Sequence, residues 1–178
     1  MSRLPTVSPE TATGKTKELL DTVRHKLGLV PNMTKLMANS PAVLDGYLAF
    51  SGALNASSIP AKLREQIAIV TAQTTSCNYC LSAHTAIGKM LGLSADELGA
   101  SRQAGSPEAT TGAALQFARR LAQTGGGVSQ ADFDSVRGAG WSDAAIAEII
   151  ASVALNLFTN VFNKSADTEI DFPLVKAS

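Results

Sequence analysis

Between Ser142 and Phe162 the chain carries Ile146, Ile149, Ile150, Val153, Leu155, Leu157, Phe158, Val161 and Phe162, apolar positions that fall on nearly every side of a helix. A helix on the surface of a globular protein shows an apolar stripe backed by a polar face, so a helix without that face must be enclosed. The segment therefore demands either a bundle with this helix at its centre or an interface between copies of the chain. A charged fraction of only 17% points the same way, since a lightly charged surface is compatible with partial cover by other subunits.

The remainder reads as further helices separated by short punctuated turns. Pro5 and Pro9 mark an irregular lead-in to about residue 14, after which Leu19, Leu20, Val23 and Leu27 recur at helical spacing until Gly28. A short apolar helix follows the Leu29-Val30-Pro31-Asn32 turn, from Met33 to Ala38, and Ser40-Pro41 opens a helix to about residue 54. Pro60 starts another, carrying Leu63, Glu65, Ile67 and Val70; Thr74, Thr75 and Ser76 then interrupt the period and supply candidate caps for a helix running to Gly92. Ser94 with Glu97 and Ser129 with Asp132 have the form of capping boxes, and Ser106-Pro107-Glu108 opens a helix that ends at Gly125-Gly126-Gly127. No segment alternates with period two, so the fold class expected is all-α. The 178 residues make one helical domain, with an N-terminal arm over about 1–40, a central core over about 58–92, and C-terminal helices over about 94–163 followed by a tail.

Fifteen basic and fifteen acidic side chains cancel and form no long run of either sign, which leaves no electrostatic footprint for nucleic acid or anionic lipid. The first residues lack the apolar stretch of a signal peptide, and no uninterrupted run of about 18 apolar residues is present, so a cytoplasmic protein without a membrane span is expected.

The reactive groups are concentrated in one place. Both cysteines of the chain, Cys77 and Cys80, and one of its two histidines, His84, fall within eight residues, with Glu65 twelve residues ahead of the first thiol. Two cysteines three apart in a reducing compartment indicate redox or metal chemistry rather than a structural staple. On a helix, positions 77, 80 and 84 share one stripe, so both thiols and the imidazole would face the same way. A thiol near a helix N-terminus is stabilised as thiolate by the dipole and by unpaired N–H groups. Cys80, four residues before His84, is the thiol that an imidazole can reach, which makes it the expected nucleophile and Cys77 the resolving thiol. Glu65 orients His84 if the two helices pack antiparallel. The opposite assignment, with Cys77 attacking first, is the thioredoxin-type alternative. Zinc would need a fourth ligand that only Glu65 could supply, the other histidine, His25, lying far upstream without a partner.

Two quieter features accompany the motif. Asn156, Asn160 and Asn163 form a polar stripe on the otherwise apolar last helix, read as hydrogen-bonding across packed helices rather than as binding substrate. Shifting residues 61–85 by 83 positions gives eight identities, Glu65/Glu148 and Ile67/Ile150 among them, and sets Cys77 and Cys80 against Asn160 and Asn163. That echo is either a relic of duplication or chance matching between alanine-rich helices.

Glu65, Cys77, Cys80 and His84 together resemble the Glu, Cys-x-x-Cys, x-x-x-His pattern of the alkylhydroperoxidase D-like proteins within the carboxymuconolactone decarboxylase superfamily. The stretches Leu29-Val-Pro-Asn, Arg64-Glu-Gln-Ile-Ala, Ser82-Ala-His-Thr-Ala and the closing Asn156 to Pro173 are similar to one peroxidase-related branch of it. The resemblance implies an all-helical fold, assembly into homo-oligomers (trimers or hexamers), and thiol peroxidase or disulfide reductase activity on organic hydroperoxides. It also implies that Cys80 is peroxidatic, that Glu65 and His84 relay a proton, and that Cys77 resolves the sulfenic acid to a disulfide. No bound cofactor or metal is implied; an external thiol, dithiol or redox protein, of lipoyl type in the prototype, would reset the enzyme. The prototype's extra histidine, just before the second cysteine, is replaced by Tyr79, and a phenol of pKa about 10 cannot act as a neutral-pH base. Two rival functions stand beside this one: a lactone enzyme of the decarboxylase branch, and a redox-sensing oligomer with little turnover.

Overall fold

A computed structural model describes residues 1–177, which form nine α-helices: α1 (Gly14–Leu27), α2 (Asn32–Met37), α3 (Pro41–Leu54), α4 (Ala61–Thr74), α5 (Asn78–Met90), α6 (Ala95–Arg102), α7 (Ala109–Thr124), α8 (Gln130–Gly138) and α9 (Asp143–Ala166). No strand occurs among the described residues. The helix starts follow the local signals. Ser94 accepts from the Glu97 N–H while Glu97 accepts from the Ser94 N–H, and Ser129 and Asp132 repeat the arrangement. Gly28, at φ 74°, closes α1 in the left-handed conformation that glycine adopts at no steric cost.

The central element is α4, which packs against α5, α6, α7 and α9. Its burial is nearly complete from Gln66 to Ala72, so both sides of the helix serve as core. One side joins Leu63, Ile67 and Val70 to Leu115, Phe117 and Leu121 of α7 and Ile146, Ile149 and Val153 of α9. The other joins Ile69 and Ala72 to Cys77, Tyr79, Cys80 and Leu81 of the α5 region and Leu93 and Leu98 around α6, with Ile170, Phe172 and Val175 of the C-terminal tail laid over them. The α5–α6 corner is tight at Gly88, where an added Cβ would stand 3.0 Å from both Leu93 Cδ1 and Leu98 Cδ2. A third cluster, from Leu19, Leu20, Val23, Val30, Met37 and Leu44, welds α1 to α2 and α3.

The last helix is long and apolar enough to cross a membrane by length and composition. It is placed here as a core helix, with Ile146, Ile149 and Val153 in the main cluster and Asn156, Asn160 and Asn163 buried. Phe158 and Val161 on its far side stay exposed, at 41% and 64%. It also runs four residues beyond the expected Phe162. Lys164 Nζ donates to Thr75 O at 2.6 Å, holding the extra turn against the end of α4, and the stop falls at Asp167, which takes the left-handed conformation at φ 51°.

The candidate active site

Helices α4 and α5 form an antiparallel hairpin across the three residues 75–77, and this hairpin builds the site. Ser76 turns the chain in the left-handed region, at φ 55°, and the Cys77 N–H then bonds to Ala72 O at 2.9 Å. The threonines and serine expected to cap α5 do not do so. Cys77 is itself the N-cap, its Sγ accepting from the Cys80 N–H at 3.3 Å. An N-cap residue has extended rather than helical dihedrals, here φ −94° and ψ 95°. The helical stripe expected over Cys77, Cys80 and His84 therefore begins only at Cys80. The two cysteines are joined as a disulfide, with Cα atoms 5.4 Å apart.

The antiparallel pairing brings Glu65 of α4 beside His84 of α5. His84 Nδ1 and Glu65 Oε2 are 2.7 Å apart, with the side chains 23% and 18% exposed, a length typical of a charge-assisted hydrogen bond. Both residues line a cavity of about 460 Å³ that also receives Cys80, whereas Cys77 does not reach it. Apolar side chains dominate its wall, among them Leu29, Met33, Leu54, Ile87, Leu155 and Phe172. The cavity is thus a mostly apolar chamber with one sulfur of the disulfide and one imidazole–carboxylate pair set into it.

On the opposite side the tail covers the pair. Cys77 is 1% and Cys80 2% exposed. Phe172 stacks edge-on to Tyr79 with centroids 5.8 Å apart, the Val175 N–H donates to Ser82 Oγ at 2.9 Å, and the Ala177 N–H donates to Asn78 Oδ1 at 2.9 Å. Tyr79 occupies the position of the prototype's additional histidine and is used structurally: it is 5% exposed, and its hydroxyl accepts from the Met33 N–H at 3.1 Å. Burial pushes the Tyr79 phenol well above its ordinary value, with the nearby Asp171 carboxylate adding to the rise, so it stays neutral throughout the range in which an enzyme would work.

Two residues with contacts in the site were not singled out for it by the sequence. Tyr47 of α3 lines the cavity, and its phenol is raised by burial and then by the Glu65 carboxylate, against a smaller opposing effect of Ser51. Asn163 of α9 places Nδ2 3.4 Å from Cys80 Sγ. Both asparagines hydrogen-bond across the helix packing, as expected: Asn160 donates to Thr75 Oγ1 at 2.8 Å, and Asn163 meets the Cys80 sulfur. No group of three or more His, Cys, Asp or Glu side chains placed to hold a metal ion occurs among the described residues.

Residues 41–124, from the start of α3 to the end of α7, match the carboxymuconolactone decarboxylase family. Over almost the whole chain the fold is that of the alkylhydroperoxidase AhpD core, an uncharacterised peroxidase-related protein from Ralstonia eutropha JMP134: TM-score 0.83 and 24% identity, covering 96% of this chain and 92% of that one. The chain has the alkylhydroperoxidase D-like fold and, over residues 41–124, is similar to the carboxymuconolactone decarboxylase family. In fold it is also similar to an uncharacterised peroxidase-related protein from Silicibacter sp. TM1040, with TM-score 0.82 and 24% identity over 93% of this chain and 88% of that one. The debrominase Bmp8, in a cysteine-to-alanine variant complexed with 2,3,4-tribromopyrrole, has the same fold, with TM-score 0.81 and 22% identity over 93% and 90% of the two chains. No curated protein matches the chain.

Proposed function

We propose that this protein is a thiol-dependent peroxidase and disulfide oxidoreductase that reduces organic hydroperoxides through Cys80 and Cys77, with Glu65 and His84 as proton relay. The observation that carries the proposal is the joint placement of Cys80 and the His84–Glu65 pair on one mostly apolar cavity, with Cys77 joined to Cys80 from behind. An apolar chamber of about 460 Å³ suits a hydroperoxide with a hydrocarbon or aryl body. In the reduced protein the Cys80 thiolate attacks the terminal peroxide oxygen, the alkoxide leaves with a proton from the relay, and Cys80 becomes a sulfenic acid. Cys77 condenses with it, releasing water and forming the disulfide present in the structure. An external thiol or dithiol, of small-molecule, protein-borne or lipoyl type, then returns the pair to the reduced state. The protein works without a bound cofactor, in the cytoplasm, as a homo-oligomer in which the exposed Phe158 and Val161 of α9 are covered by another copy.

The test is thiol titration of the reduced protein before and after one equivalent of tert-butyl hydroperoxide. Loss of two thiols per chain with one equivalent of alcohol formed is the expected result; retention of both thiols would sink the proposal.

A second reading draws on the debrominase neighbour. The same dithiol supplies two electrons, so an aryl halide in the cavity would leave as arene and halide while the disulfide forms. The apolar chamber beside Cys80 favours such a substrate as well, and halide release in place of alcohol formation would distinguish it.

A further inference from the structure

Ser152, Asn156, Thr159 and Asn163 give α9 a polar edge where it borders the cavity. Asn156 and Thr159 are satisfied locally, Asn156 Nδ2 donating to Ser152 O and Thr159 Oγ1 to Asn156 O. Asn163 is bonded differently. It is 3% exposed; its Nδ2 meets Cys80 Sγ at 3.4 Å and Met33 Sδ at 3.1 Å, and its Oδ1 has no partner. Sulfurs on this side can only accept from the amide, which fixes the nitrogen toward them and leaves the oxygen free. A buried carbonyl oxygen without a partner is rare and costly in a folded protein, so one beside the reacting sulfur asks for a bound group that donates to it.

We propose that Asn163 is a further catalytic residue: its amide N–H steadies the Cys80 sulfur as thiolate, and its free carbonyl oxygen accepts from the O–H of the bound hydroperoxide. This deepens the peroxidase proposal and rests on it. One planar amide then grips nucleophile and electrophile together, which fixes their approach. As the S–O bond forms and the O–O bond breaks, cysteine sulfur is oxidised and the peroxide reduced. The peroxide hydrogen stays on the transferred oxygen, which becomes the sulfenic hydroxyl, and the departing alkoxide takes its proton from the His84 side. The carbonyl thus holds the same O–H before and after the transfer. The remaining titratable groups on the cavity wall are Lys26 from α1, Tyr47 from α3, Arg64 and Glu65 from α4, and Tyr79 and His84 from α5; α9 contributes none. Asn163 is therefore a donor to Cys80 whose charge does not change with pH.

The experiment uses Cys77→Ser protein, in which Cys80 remains a single thiol, with Asn163→Ala or the uncharged, similarly shaped Asn163→Leu added. The pH dependence of iodoacetamide alkylation reports the Cys80 thiol midpoint without any peroxide chemistry. Loss of a charge-assisted donor is expected to raise that midpoint by about one unit in both variants; an unchanged midpoint overturns the N–H role. Asn163→Leu keeps the shape of the site without adding a charge and decides the question if Asn163→Ala fails to fold. Sulfenic acid formation with tert-butyl hydroperoxide is then followed above the midpoints of all proteins. There Asn163→Ala is expected to remain about tenfold slower, the value of one lost hydrogen bond, and a rate equal to that of the parent overturns the carbonyl role. A parent protein that alkylates normally yet forms no sulfenic acid refutes the peroxidase proposal and the carbonyl role with it, while the alkylation comparison still decides the N–H role.

Discussion

Removing the negative charge from Glu65 while keeping its shape isolates what the carboxylate does for His84. In Glu65→Gln the 2.7 Å bond from Nδ1 loses its ionic character, but the side chain can still occupy the same space. Hydrogen bonds to charged groups contribute about 1.5–3 kcal/mol, and because the partners are 18% and 23% exposed the value belongs near the lower end, about 1.5–2 kcal/mol. If that interaction is made fully only while His84 gives up its proton to the alkoxide, the first step should slow by roughly 10–30-fold. His84→Ala removes the proton donor itself and should cost about 10²–10⁴-fold. The combination is the discriminating protein: with no imidazole the carboxylate has nothing to orient, so the double variant should be no slower than His84→Ala alone. Stopped-flow single-turnover measurements on the reduced proteins with an organic hydroperoxide supply all four rates. A Glu65→Gln rate within twofold of the parent, or a double variant whose loss is the product of the two single losses, would refute the relay.

Other consequences are as open to measurement. Cys80→Ser should abolish peroxide consumption, whereas Cys77→Ser should react once and stop with a dimedone-trappable sulfenic acid on Cys80; peroxide consumption persisting in Cys80→Ser would reverse the roles. The exposed apolar strip of α9 at Phe158 and Val161 should be covered by a second copy, so sedimentation at micromolar concentration should show an assembly larger than the 18.4 kDa chain, with interfaces above about 1,000 Å² per pair. Both tyrosines, Tyr47 and Tyr79, are held above the ordinary phenol value of 10.0, chiefly by burial, so absorbance at 295 nm should show no tyrosinate at pH 10 in the folded protein. The sign follows for stability: above pH 10 the unfolded chain releases phenol protons that the native state keeps, so stability falls as pH rises, and normal titration of either tyrosine in the folded state would contradict the burial described.

The sequence announces what is decided within a few residues. The caps at Ser94 and Ser129, the glycine stop at Gly28 and the break before Cys77 are local, and each falls where hydrogen-bond chemistry puts it. The Glu65–His84 pairing was legible because a short turn between two helices leaves little choice but an antiparallel hairpin. What depended on tertiary contact was less visible. The end of α9 was misplaced because its last turn is held by Lys164 reaching Thr75, 89 residues away. Cys77 was drawn on the helical stripe because spacing alone does not show that the thiol replaces the preceding serine and threonines as cap. Asn163 hydrogen-bonds across packed helices as expected, but that its partner is Cys80 is set by where α9 crosses α5, 83 residues away in sequence.

The tail folded over the back of the disulfide has a consequence for traffic. With Val175 and Ala177 bonded over the far side of α5 and Cys80 reached from the chamber, oxidant and reductant are left to arrive by the same passage. On the proposed cycle the two half-reactions must then take turns: the alcohol has to leave before the reductant enters, and an excess of either visitor slows the other by standing in the way. Initial rates should accordingly give parallel lines in double-reciprocal plots, with inhibition at high concentration of either substrate. A thiol mounted on a broad, flat protein face would be held off by the rim, whereas one carried at the end of a thin flexible arm could thread through to the sulfur. The breadth of the passage, more than the strength of any thiol, would choose the partner.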